Sequence, residues 1–408
     1  MWLYSFVINL LTPLIWLKIR RFKRTYANYR AKEACGHWGK VEADLWLHCA
    51  SVGEVLAARP LVAQWREKYP DHRLLVTTMT PTGAEQVVKV FPFAQHKYLP
   101  MDWHWAVQKA LSRIECPRLL IVEMELWPNL LMLAKQKGLH VSIVNARMSE
   151  RSYLRYQRFP RFSSRLFALP DQFLAHAQAD ADRIKRLGAS KVYATGSIKF
   201  DLAVSEEVLD QNWREQIDRP FVWLAASTHQ GEEAQILKAH QVLLRSQPQA
   251  LLVLVPRHPE RFEEVSELAK ESFSKVALRS KTPVNKWKDF EVVIGDSMGE
   301  LMHYYQASDL AFVGGSLIKR GGHNPIEPAL LSKAILVGPY TFNFQDITDQ
   351  LILAKGALRC QNEEQLSNLL ISLSKQSSQR IRLGQAALRF AQSSQGAVTR
   401  VLNEIDFH

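Results

Sequence analysis

From residue 44 onward, short apolar runs alternate with longer, mixed stretches. The first set reads DLWLHCA (44–50), RLLVTTM (73–79), RLLIVEM (118–124), HVSIVNA (140–146), DQFLAHA (171–177) and KVYATG (191–196). Such runs are apolar at nearly every position rather than at every second one. They predict strands buried on both faces, and the helical segments between them predict parallel βα units. A polar stretch, DLAVSEEVLDQNWREQIDRP (201–220), breaks the pattern and predicts a linker. The alternation resumes with FVWLAAS (221–227), ALLVLVP (250–256), EVVIGD (291–296), DLAFVGG (309–315) and AILVGP (334–339), and the chain reads as helical from about residue 362. The expected fold is α/β, with two Rossmann-like domains facing a cleft. In such sheets ligands bind beyond the carboxyl ends of the strands.

The N-terminus follows another pattern. Residues 2–17, WLYSFVINLLTPLIWL, carry no charge, and Lys18, Arg20, Arg21, Lys23, Arg24, Arg30 and Lys32 follow them. A bilayer crossing needs about 20 apolar residues; this run is shorter and contains Asn9 and Pro13. It predicts a membrane-anchor helix, as a short signal anchor or a helix lying in the interface. The basic cluster then places the rest of the chain in the cytoplasm. The competing reading is a buried N-terminal helix. The expected organisation is an anchor and basic segment (1–32), an N-terminal α/β domain (33–205) and a C-terminal α/β domain (206–408), with the last helices candidates to pack back on the N-terminal domain.

Composition narrows the classes. The 408 residues are 47% hydrophobic and 23% charged, as in ordinary globular proteins, which excludes a disordered chain, a collagen and a polytopic membrane protein. Cys35, Cys49, Cys116 and Cys360 lie far apart with no C-x-x-C pair, which argues against a disulfide scaffold or a structural zinc site. The formal net charge of +12 suits an anionic partner. Much of the excess sits beside the apolar N-terminus, where anionic lipid headgroups would lie. No helix-turn-helix, zinc-finger or RNP pattern occurs, so nucleic acid is not an expected partner.

The strand ends carry the chemistry. No G-x-G-x-x-G, P-loop or H-E-x-x-H motif occurs. Asp180-Ala-Asp182 spells D-x-D, which holds a divalent metal in some glycosyltransferases, but at the start of a helix it reads as N-capping. No metal ligand set is expected. Ser51 with Glu54, Thr82 with Glu85 and Ser297 with Glu300 have capping-box spacing. In VGGSLIKRGGHNPIEP (313–328), paired glycines lead to Asn324 as N-cap and Pro325 at the first helical position. Exposed backbone N–H groups there predict a phosphate site. Glu327 either completes the cap or bonds to ribose hydroxyls. Arg257 and His258 end another strand, and Asp296 to Glu300 opens a further helix. These loops suggest that the C-terminal half binds a nucleotide donor. In the N-terminal half, Glu54 is expected to stay ionised at a helix N-terminus and to be able to serve as a general base. Glu123 and Glu125 are read as orienting neighbours. Beyond Asn145, Arg147 and Ser149, the residues Arg151, Tyr153, Arg155, Tyr156 and Arg158 suit an acidic or phosphorylated acceptor, or form a solvated face.

Taken together, HCASVGEV, TPTGAEQV, VEMELWPNLL, VNARMSERSYLRY, TGSIKFD, PRHPERF, IGDSMGEL and FVGGSLIKRGGHNPIEPA resemble the Kdo (3-deoxy-D-manno-octulosonic acid) transferases of lipopolysaccharide synthesis. The likeness runs from the N-terminal anchor to about residue 350. It implies an inverting, metal-independent glycosyltransferase of the GT-B type on the cytoplasmic face of the cell inner membrane, moving Kdo from CMP-Kdo to the lipid A precursor, lipid IVA. It implies no cofactor besides the donor substrate, and anionic inner-membrane lipids as partners. The family's general base matches Glu54 in S-V-G-E. Its CMP contacts match Arg257 and His258 in P-R-H-P, Met298, Gly299 and Glu300 in M-G-E, and Asn324, Pro325, Ile326 and Glu327 in N-P-I-E. Two alternatives stand beside this reading: another GT-B-like sugar-nucleotide enzyme, with a UDP donor or as an epimerase, and a membrane-tethered, non-catalytic binder of anionic polymers.

Overall fold

The computed structural model describes residues 2–202 and 204–405. Met1, Ala203 and 406–408, which belong to the expected anchor, linker and C-terminal domain, lie outside the described residues. The chain divides into two compact units, Met1–Asp201 with Ser394–His408, and Leu202–Ser393.

Each unit is built on a seven-stranded sheet in which every pairing is parallel. Across the first sheet the order is Gln95–Tyr98, Leu74–Thr78, Leu45–His48, Arg118–Val122, His140–Ala146, Gln172–Ala175 and Val192–Ala194. The order reverses direction between Leu45–His48 and Arg118–Val122. The second sheet runs Val276–Leu278, Val292–Ile294, Ala250–Pro256, Phe221–Thr228, Leu310–Val313, Ala334–Val337 and Ala357–Arg359. Its reversal lies between Phe221–Thr228 and Leu310–Val313. The central strands are buried at every position, as their unbroken apolar runs predict. At a reversal the two connections leave on opposite faces of the sheet, and a crevice opens beyond the carboxyl ends of the strands.

The N-terminus differs from a simple anchor. Its apolar run is split at Leu11 into helices Trp2–Leu10 and Thr12–Thr25, with Pro13 in the first turn of the second. Proline is tolerated at a helix start and disrupts a helix interior, so no single long helix forms. Among the described residues, no helix is long and apolar enough to cross a membrane. One face packs into the first unit. Ile19 is buried with Tyr98, Met101 and Trp103, and Ile8, Ile15 and Phe22 lie against them. Thr12 accepts a hydrogen bond from the Trp103 indole at 3.1 Å, and the Ser5 hydroxyl donates to Asn129 at 2.8 Å. The other face leaves Phe6, Val7, Leu10, Leu11, Leu14, Trp16 and Leu17 exposed.

The stretch read as a linker is packed instead. Helices Glu206–Asp210 and Trp213–Gln216 form within it. Trp213 is buried against Trp287 and Tyr304, under the Arg279 guanidinium. Its polar composition hid this because a few apolar anchors, Val208, Trp213 and Ile217, do the burying. The final helix, Ala397–Glu404, returns to the first unit. There Ala397, Val398, Val401 and Leu402 join the core, and the Asp201 carboxylate accepts from the Gly396 and Val398 amides.

Candidate active site

In the first unit the carboxylates gather at the reversal point. Strand Leu45–His48 leads through Cys49 and Ala50 to Ser51, the N-cap of helix Val52–Ala57. Glu54 sits in the first turn. Its Oε1 accepts from the Ser51 hydroxyl at 2.8 Å and its Oε2 from the Ala50 amide at 2.5 Å. The capping box therefore closes one residue early, on Ala50 rather than on Ser51. Glu54 is only 8% exposed. Burial pushes its pKa from 4.5 up to about 7, against the two hydrogen bonds, and Glu123 and Glu125 add repulsion. The helix N-terminus does not hold this carboxyl ionised, as the sequence had suggested, because losing water outweighs the helix dipole. A carboxyl that titrates near neutrality is matched to general-base work.

Glu123 and Glu125 follow the neighbouring strand Arg118–Val122. Glu123 has a left-handed backbone (φ 64°) and pairs with Lys199 Nζ at 2.8 Å. Burial and Glu123 raise the pKa of Glu125. Asn145 is also left-handed (φ 57°), where the register of strand His140–Ala146 shifts, and its Oδ1 accepts from the Ile198 amide at 3.3 Å. Non-glycine residues persist in that conformation when their surroundings over-determine it, and they gather at functional sites. Lys199 was not singled out from the sequence, although it lies in the TGSIKFD segment. Its pairing across residues distant in the chain carries no local signal.

The other loops of this unit differ in detail from the sequence reading. Helix Pro81–Val90 is capped by Thr80, which accepts from the Gly83 amide at 3.1 Å, and not by Thr82. Asp180 is no N-cap: it lies in the first turn of helix Gln178–Arg186 and accepts from the Met148 amide at 2.8 Å. Asp182 accepts from Gln178. The two aspartates thus serve different partners. Helix Glu150–Gln157 has no buried residue, with Arg147, Arg151, Arg155 and Arg158 exposed and Tyr153 and Tyr156 resting on the core.

In the second unit the expected donor residues end three strands. Arg257 follows Ala250–Pro256 and ties its amide to the Thr228 carbonyl at 3.0 Å. His258 is exposed, with its ring edge-on to His229. Met298 is 65% exposed and Gly299 is left-handed (φ 87°). The helix here starts at Leu301, so Ser297 is not its cap; its hydroxyl donates to the Glu300 carboxylate, which also pairs with Arg279 at 3.0 Å. Helix Ile326–Leu330 starts one residue later than expected, with Asn324 Oδ1 accepting from the Ile326 amide at 3.1 Å. Pro325 and Ile326 are buried, and Asn324 and Glu327 are half-buried.

Three of the four paired-glycine amides are taken within the fold. Gly315, Ser316 and Leu317 donate to the buried Glu232 carboxylate, at 2.7, 3.1 and 2.9 Å. The Gly314, Gly322 and His323 amides bond to Ala226, Gly315 and Gly314 carbonyls. The buried Glu232 carboxylate thus occupies the Gly315–Leu317 amides that the sequence left open for a phosphate. Sequence reasoning missed Glu232, His229 and His323. The two histidines meet across 2.9 Å, Nε2 to Nε2, at the reversal point of this sheet.

The 3-deoxy-D-manno-octulosonic-acid transferase (kdotransferase) family model matches residues 20–202. A 3-deoxy-D-manno-octulosonic acid transferase of Haemophilus influenzae is 36% identical, over 98% of this chain and 96% of that protein. The chain belongs to the Kdo transferase family. A second Kdo transferase, from Bordetella pertussis, is 32% identical over 99% of this chain and 98% of its own length. As a member of the family, the chain is a glycosyltransferase. Its α/β fold is shared with a UDP-GlcNAc 2-epimerase from Neisseria meningitidis bound to UDP-GlcNAc, at TM-score 0.59 and 13% identity over 89% of this chain and 99% of that one. Another UDP-N-acetylglucosamine 2-epimerase aligns at TM-score 0.56 and 14% identity, over 90% of this chain and 96% of that one. At these identities the likeness concerns the GT-B-like fold alone.

Proposed function

We propose that this Kdo transferase moves Kdo from CMP-Kdo to the lipid A precursor, lipid IVA, with inversion at the anomeric carbon. Glu54 takes the proton of an acceptor hydroxyl, the oxygen attacks the anomeric carbon from the face opposite the phosphate, and CMP leaves. The observation that carries this reading is the Glu54 carboxyl itself. It lies at the reversal point of its sheet, is held by the Ala50 amide and the Ser51 hydroxyl, and titrates at about 7. A positioned base of this kind contributes roughly 10²–10⁴-fold.

On this reading Arg257, His258, the Met298–Glu300 turn and the Asn324–Glu327 turn hold CMP. The charge that develops on the leaving phosphate is met by Arg257 and its cationic neighbours. Asp180 is committed to the Met148 amide and Asp182 to Gln178, so the reaction is expected to proceed in EDTA. The exposed apolar residues of the first two helices, next to the exposed Lys18, Arg20, Arg21, Lys23 and Arg24, suit the interface of an anionic membrane. On this reading the enzyme works at the cytoplasmic face of the inner membrane, where an acylated acceptor lies.

The test is incubation with CMP-Kdo and lipid IVA, with product mass read out, in buffer with and without EDTA. A mass increase of Kdo units, competed by CMP and not by UDP, is expected. Competition by UDP alone, or loss of activity in EDTA that Mg²⁺ restores, would overturn the donor or the metal-free part respectively.

A further inference from the structure

We propose that His229 and His323 form a proton-accepting anion subsite, which takes the phosphate of the nucleotide and gains one proton from solvent as it binds. This rests on the donor reading above and adds two residues to it. His229 follows strand Phe221–Thr228 and His323 lies in the loop after Leu310–Val313. These strands are paired neighbours that flank the reversal of the second sheet, where ligands of α/β sheets bind.

The two rings are nearly parallel, 5° apart, with centroids at 5.1 Å and Nε2 atoms at 2.9 Å. With the nitrogens so much closer than the centroids, the rings meet edge to edge, as an N–H···N hydrogen bond requires. One Nε2 donates and the other accepts, since a neutral imidazole has one N–H and one lone pair. The pair can carry a single positive charge; a second would point two N–H groups at each other. The rings are held in place. The His229 amide donates to Glu232 Oε2 at 3.3 Å, and the His323 amide donates to the Gly314 carbonyl at 3.1 Å. Gly315 is left-handed (φ 68°), and a Cβ there would meet the His323 ring at 3.3 Å and the His229 ring at 3.4 Å.

The surroundings are rich in arginine and histidine. Arg257, His258, Arg261 and Arg320 act on His229, and Arg257 and His258 act on His323. The nearby acids are engaged elsewhere: Glu232 with backbone amides, Glu233 with Arg261, and the exposed Glu260 3.8 Å from His258. Burial holds His229 at about 4 and His323 at about 3, below the ordinary 6.5, helped by repulsion from His258 and the arginines for His229 and from His229, Arg257 and His258 for His323. An arriving anion reverses the field and favours the charged pair. Affinity therefore rises as pH falls from neutrality through the pKa of the liganded pair. The phosphodiester of a nucleotide-linked sugar carries one negative charge, and the released monophosphate approaches two near neutral pH. A proton held on the pair offsets that increase at departure.

The test uses the full chain with two probes: sulfate, a dianion with no titrating proton near neutrality, and CMP. Histidine ring NMR titrations should show the joint His229–His323 transition moving up by about two pH units or more, to about 6, when either anion is bound. Calorimetry near pH 6, in buffers of different ionisation heat, should then show wild type taking up about half a proton or more per bound anion beyond His323→Phe. His229→Gln, which keeps a hydrogen-bond donor beside its neighbour, is the second variant should the first not fold. Sulfate shifting the rings while CMP fails to bind would keep the subsite and end the donor reading. CMP binding with unmoved rings, or with equal proton uptake in the variants, would end the subsite and keep the donor reading. Ring titrations unmoved by both anions would end the proposal.

Discussion

Replacing Glu54 by Gln separates its structural role from its chemistry. The carboxylate accepts two hydrogen bonds, from the Ala50 amide at 2.5 Å and the Ser51 hydroxyl at 2.8 Å. Gln offers one carbonyl oxygen, so one donor loses its acceptor, at about 1–3 kcal/mol if it stays buried. Burial of charge works the other way. Raising the carboxyl from 4.5 to about 7 amounts to about 3 kcal/mol, at about 1.36 kcal/mol per pH unit. The sign follows from proton binding: the folded chain holds this proton more tightly than the unfolded one. The stability it adds is fully present below pH 4.5 and is lost as pH rises through about 7. Gln has no proton to lose, so the stability of wild type relative to Glu54→Gln should fall by about 2–3 kcal/mol from about pH 5 to about pH 8. Urea unfolding at both pH values measures this difference. Over the same range kcat/KM of wild type should rise with pH and level off above about 7, where the base is ionised. Glu54→Gln should bind CMP normally and lose roughly 10²–10⁴ in turnover. A variant that turns over near the wild-type rate refutes the base assignment. Glu125 then becomes the next candidate, since Glu123 is committed to Lys199.

The remaining predictions concern the membrane face, the donor site and the packing. Exchanging the exposed Phe6, Leu10, Leu14 and Leu17 for Ser should leave Tm unchanged and reduce co-sedimentation with anionic vesicles; equal sedimentation would remove the membrane role. Deleting residues 1–17 should also lower Tm, because the Thr12, Trp16 and Ser5 contacts to Trp103 and Asn129 go with them. Arg257→Ala should weaken CMP binding by about 1.5–3 kcal/mol, the worth of a charge-assisted hydrogen bond; unchanged calorimetric affinity in a folded variant takes Arg257 out of the site. Gly384→Ala, in helix Ser377–Ser393, would gain about 1 kcal/mol in an open helix. Here its Cβ would meet the Ser332 carbonyl oxygen at 2.0 Å, so urea unfolding should show a loss of about 1–3 kcal/mol.

What the sequence by itself determined was the frame. An unbroken apolar run marks a strand covered on both faces, and the eleven runs read from hydropathy all contain strands of the two sheets. Of the four edge strands of these sheets, Val192–Ala194 was read, and Gln95–Tyr98, Val276–Leu278 and Ala357–Arg359 were missed; each of the three buries only some of its positions. An edge strand need not be apolar throughout, so its run is weaker to read. The motif loops were legible for a related reason: in parallel sheets the carboxyl ends of strands all point one way, so residues after each run converge. Glu54, Glu123 and Glu125 were named on that basis, and the fold brings them within mutual electrostatic reach. Tertiary structure alone decided what those residues are. Glu54 looks ionised in sequence because the helix dipole is a local feature; it titrates at about 7 because burial, which is not local, strips its water. The glycine loop looks open in sequence, and Glu232, which precedes Gly315 by 83 positions, takes three of its amides. His229 and His323, 94 positions apart, meet because the strands that precede them are neighbours in the sheet, and no spacing along the chain encodes which strands pair.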